Sequence, residues 1–91
     1  MPDLTTRFVT AAARDPALRK MLLELAELDA RAMGQASGPS GDALSPQFTH
    51  LAERVSSLCD QVAKRIATPD DDADEIGQWI SYNCQDVARA L

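Results

Sequence analysis

The sequence predicts an all-α fold, a small bundle of about four helices in which a short first helix precedes three longer amphipathic ones. Three observations predict it. The β-branched and aromatic residues that favour strands are few and do not alternate, with aromatics at only 4 % of the chain. Apolar residues recur at spacings of three and four in four separate stretches, the signature of one buried helix face. A capping residue followed by proline occurs three times, at Asp15-Pro16, Ser45-Pro46 and Thr68-Pro69. That pair starts helices, because the cap side chain satisfies an orphan N–H and proline lacks one. The 91 residues suffice for a single modest core, so 1–91 is read as one domain.

Asp3 is placed to cap a first helix over about 4–13, with Leu4, Phe8, Ala11 and Ala12 on one face. Asp15-Pro16 restarts the chain as a second helix to about Met33, with Gly34 as its expected stop. Its apolar face is Leu18, Met21, Leu22, Leu25, Leu28 and Ala32. Two residues break that pattern: Leu23 falls on the charged face and Asp29 on the apolar one. Residues 35–44 are rich in Gly, Ser and Pro and are expected to form a mobile linker. Their glycines do not fit a phosphate-binding loop, which needs a strand before it and a lysine after it.

Ser45-Pro46 opens a third helix, whose stripe is Phe48, Leu51, Val55, Leu58, Val62 and Ile66. His50 lies opposite that stripe, on the solvent side. Thr68-Pro69-Asp70-Asp71 is read as the start of the fourth helix, with Thr68 and an acid three residues later resembling a capping box. Its stripe is Ala73, Ile76, Ile80, Cys84, Val87 and Leu91. The connection is so short that helices three and four should form an antiparallel hairpin.

Charge is distributed unevenly. The segment from Asp70 to Leu91 holds six acids and one base and so carries the whole net charge of −5. The first 69 residues are balanced. An acidic chain lacks the basic patch that displaces counterions from nucleic acid or anionic membrane, so neither is expected as a direct partner. No apolar run approaches the ~18–20 residues of a membrane span. Met1-Pro2-Asp3 opens no signal-peptide pattern, so the cytoplasm is the expected compartment. There Cys59 and Cys84 should be free thiols. Hairpin register also separates them by roughly 8–10 Å along the helix axis, beyond the reach of a disulfide.

Chemistry has little support. Asp70-Asp71-Asp72-Ala73-Asp74-Glu75 opens with the spacing of a calcium loop but lacks the glycine and the late glutamate that such a loop requires. No basic group or histidine is placed to lower a thiol pKa, and no nucleophile, base and acid converge. No enzyme, no metal and no cofactor is expected. Acids at the start of helix four are stabilised by its N-terminal dipole, at ~0.3–1 kcal/mol each.

A helical wheel instead places Glu75, Trp79, Tyr82 and Asp86 together on one flank of the fourth helix, beside its core stripe. Trp and Tyr anchor many protein interfaces, although Trp79 could equally tuck against helix one or two. The expected contact residues are therefore Asp71, Asp72, Glu75, Trp79, Tyr82 and Asp86, with Leu23 as a second contact. The expected function is a small acidic protein-binding module, a regulator, adaptor or inhibitor whose protein partner presents a basic surface. One alternative is a phage-type inhibitor of the anti-CRISPR kind, blocking a basic nucleic-acid-binding surface, an analogy of size and charge alone. The other is a self-assembling structural subunit, a homodimer.

Overall fold

The computed structural model describes residues 3–36 and 46–91. Four helices follow in order, α1 (Leu4–Arg14), α2 (Pro16–Ala36), α3 (Pro46–Ile66) and α4 (Ala73–Ala90), with no strand among the described residues. The all-α bundle is as the sequence predicts. Most of the expected 35–44 linker and the Ser45 cap lie outside the described residues.

The starts of α1, α2 and α4 each have a side-chain cap. The Asp3 carboxylate accepts the Thr6 N–H at 2.8 Å. Asp15 ends α1 in an extended conformation. Its carboxylate also accepts the Ala17 and Leu18 N–H groups at 3.1 and 3.2 Å. One residue thus breaks one helix and starts the next, and Pro16 has no N–H to leave unpaired.

The four stripes meet in one core. α1 contributes Phe8 and Ala12, α2 Leu18, Leu22 and Leu25, α3 Leu58 and Val62, and α4 Ile76, Ile80 and Val87. Each of these is at most 4 % exposed. No polar or charged residue is fully buried among those described, so burial carries no unpaired charge.

Burial is uneven along α3. Its second half supplies Leu58, Cys59, Val62 and Ala63 to the core, whereas Phe48, Leu51 and Val55 are only half-buried. α1 is the short helix, 11 residues against 21 for α2 and α3. α1 packs beside the α3 C-terminus, where the Arg7 guanidinium donates to the Ile66 carbonyl at 3.2 Å.

Two helix boundaries differ from expectation. Gly34 does not stop α2, which continues to Ala36. A glycine costs about 1 kcal/mol inside a helix but ends one only where the chain turns left-handed, and Gly34 does not. α4 starts at Ala73, not at Pro69. Residues 68–71 form a separate turn, closed by the Asp71 N–H on the Thr68 carbonyl at 3.0 Å.

Candidate functional site

The Asp70–Glu75 run divides into three local roles. Asp71 does not belong to a helical first turn. Its carboxylate accepts the Thr68 N–H at 2.8 Å and the Thr68 hydroxyl at 3.0 Å. It also takes a two-pronged contact from the Arg7 guanidinium, at 2.5 and 3.3 Å. The Arg7 guanidinium, with the Thr68 N–H, holds its carboxyl well below the usual carboxylate range. Asp72 is the true N-cap, accepting the Asp74 and Glu75 N–H groups at 2.9 and 3.4 Å. Asp74 and Glu75 then occupy the first turn, where the orphan N–H groups favour negative charge. Glu75, which would lie beyond the first turn of a helix begun at Pro69, is inside it.

The expected Glu75–Trp79–Tyr82–Asp86 face resolves unequally. Trp79 is half-buried and lies nearly parallel to Phe8, with ring centroids 6.0 Å apart and an 8° interplanar angle. It docks α1 onto α4, the packing alternative of the two weighed for this residue. Tyr82 is the opposite case, 87 % exposed. Glu75 and Asp86 are exposed on either side of it along the helix, and Asp86 meets Arg89 at 3.5 Å. On α2, Leu23 is 39 % exposed and Met33 60 %.

A second surface escaped the sequence reading. A groove of about 630 Å³ opens where the C-terminal part of α2, α3 from Phe48 to Asp60 and the N-terminal half of α4 meet. Its apolar wall includes Phe48, Ala52 and Val55, and its carboxylates are Asp29, Asp60 and Asp74. No Lys or Arg lines it among the described residues. Gly77 contributes to its surface and faces α3. A Cβ there would lie 3.8 Å from both the Ala63 side chain and the Cys59 carbonyl. The usable signals were the acid on the apolar face of helix two and the mid-helix glycine.

Asp29 owes its place on the apolar face to polar neighbours. It accepts from the Gln85 amide at 3.3 Å, and that amide also donates to the Ala26 carbonyl at 2.7 Å. The same carboxylate also disfavours ionisation of the Cys84 thiol. Burial, reinforced by the Asp29 charge, pushes the Cys59 thiol up to about 11 and the Cys84 thiol up to about 12. Both cysteines are buried and free. Neither has thiolate character at neutral pH, which nucleophilic or redox chemistry needs.

On the α1 side a smaller cleft of about 540 Å³ is lined by Arg7, Arg14 and Arg65. Two of those charges are internally matched, Arg7 by Asp71 and Arg65 by Asp15 at 2.6 Å. Among the described residues no group of three His, Cys, Asp or Glu is arranged to hold a metal ion, and no helix is long and apolar enough to cross a membrane. Comparison with known proteins gives no family model, no curated protein and no solved structure that matches this chain.

Proposed function

We propose that this protein is a small cytoplasmic protein-binding module that docks an acidic helix face on the basic surface of a partner. The observation that supports it is Tyr82, a large aromatic 87 % exposed on α4 between the exposed acids Glu75 and Asp86. It stands in the segment that carries the whole net charge. A tyrosine offers apolar area with a polar tip and little entropy to lose, which suits it to anchor an interface. Complementary charge sets the encounter rate and the choice of partner. The module works by occlusion or bridging, as a regulator, adaptor or inhibitor, and not as an enzyme.

Because Trp79 packs on Phe8, the informative variant is Tyr82→Ala with Asp86→Asn. Both side chains are exposed, so the fold should change by less than about 0.5 kcal/mol. The tagged wild type should capture one partner from its native cytosol, and the folded double variant should lose it. Equal capture by both sinks the Tyr82 face as the site. A mass that rises with concentration, with no other protein captured, points to the homodimer instead.

A further inference from the structure

We propose that the α2–α3–α4 groove is a receptor for a basic amphipathic helix supplied by a partner protein. This rests on the protein-binding reading and names the chemistry of what is bound. The groove combines an apolar wall, Phe48, Ala52 and Val55, with carboxylates from three different helices, Asp29, Asp60 and Asp74. An amphipathic helix presents apolar residues at every third or fourth position with a charged flank, so its apolar ridge fits such a wall while its cations meet the acids. Charge complementarity selects the occupant. Among the described residues only Asp60 of the three has a basic neighbour within ion-pair distance, the exposed Lys64 at 3.4 Å one turn away, while Asp29 accepts from the uncharged Gln85 amide. Solvent screens a pair of that kind.

A second copy is disfavoured as occupant, because this chain is itself net acidic at −5 and has no strongly basic segment. The groove also joins the Tyr82 face. Gln78 lines it, and Tyr82 follows one helical turn later on the same side of α4. A helix seated in the groove therefore lies beside the exposed ring. Volume agrees: about 630 Å³ holds several side chains of one helix face and is within the ~300–1,000 Å³ range of ligand pockets.

The test uses the full chain and two synthetic helical peptides of about 18 residues, one patterned with Leu and Lys, the other with Leu and Glu in the same places. Binding is followed by backbone amide NMR shifts and by calorimetry. The Lys peptide should shift the amides of Ala52, Ser56, Gly77 and Ser81, and the Glu peptide should not bind. Ser56→Trp fills the groove from an exposed position without changing charge. Asp60→Asn with Asp74→Asn removes charge without filling it. Each should weaken binding by roughly tenfold or more, with circular dichroism confirming the fold.

Equal binding of both peptides overturns the proposal. So do Lys-peptide shifts confined to Glu75, Tyr82 and Asp86 with Ser56→Trp unaffected, although that result upholds the Tyr82 face. Concentration-dependent groove shifts without peptide overturn it in favour of a second copy. Absence of any binding overturns the groove alone, since capture through Tyr82 is measured separately.

Discussion

At the scale of single residues, Asp71 and Gly77 carry the clearest consequences. Asp71 joins the turn before α4 to α1 through Arg7, a contact spanning 64 residues of sequence. Its carboxyl is held below its ordinary range in the folded chain. The stabilisation is therefore complete above the unfolded value near ~3.9 and is lost as pH falls towards the folded value. Asp3 and Asp15, lowered by their capping bonds, act in the same direction. Asp71→Asn should lower the thermal midpoint at neutral pH and flatten the acid limb of a stability–pH curve. A variant with an unchanged acid limb would show that the Arg7 contact contributes nothing. Gly77→Ala should raise stability by about 0.5–1 kcal/mol, because the added methyl meets α3 at ordinary contact distance. A lower urea midpoint would mean that α3 and α4 need the closer approach. The two thiols give a third check. With pKa values of about 11 and 12, they should react with a thiol reagent at mildly alkaline pH only as the chain unfolds, and fast native labelling would contradict their burial.

At the scale of elements, helix identity was legible because its signal is local. A stripe such as Ile76, Ile80, Cys84 and Val87 follows from a 3.6-residue period alone, and all four are buried. The start of α4 was not legible in the same way. Thr68-Pro69 carries a genuine start signal, but Asp71 is claimed by Thr68 and by Arg7 from another helix. Asp72 then caps the helix with its own carboxylate, displacing the start to Ala73. Trp79 illustrates the same limit. Its place on the wheel beside the core was readable, whereas its partner Phe8 belongs to α1, and no periodicity within α4 could name it. The place of Tyr82 outside the core stripe was readable because position on the wheel is a property of one helix. The groove was not, since its acids come from α2, α3 and α4 and become neighbours only when the bundle closes.

At the scale of the whole molecule, the α1 packing and the groove occupy different faces. α1 completes the core around the C-terminal half of α3, with Arg65–Asp15 as an exposed strap between α3 and the start of α2. Arg54–Glu24, at 2.9 Å, ties α3 to α2 nearer the other end. Exposed straps of this kind are worth about 0–1 kcal/mol each, so apolar packing dominates. Charge follows the same division. Arginines gather on the α1 side, while no α1 residue lines the acidic groove. On the proposed reading, this division of charge would orient a basic partner before contact.

The Phe8–Trp79 stack makes the molecule its own spectroscopic gauge. Trp79 is the sole tryptophan of the chain, and the ring facing it belongs to the shortest helix. Its emission therefore records the seating of α1 and is insensitive to helix content, which is dominated by the three longer helices. Fluorescence and circular dichroism melt together if α1 is integral to the cooperative unit, and part company if it peels away first.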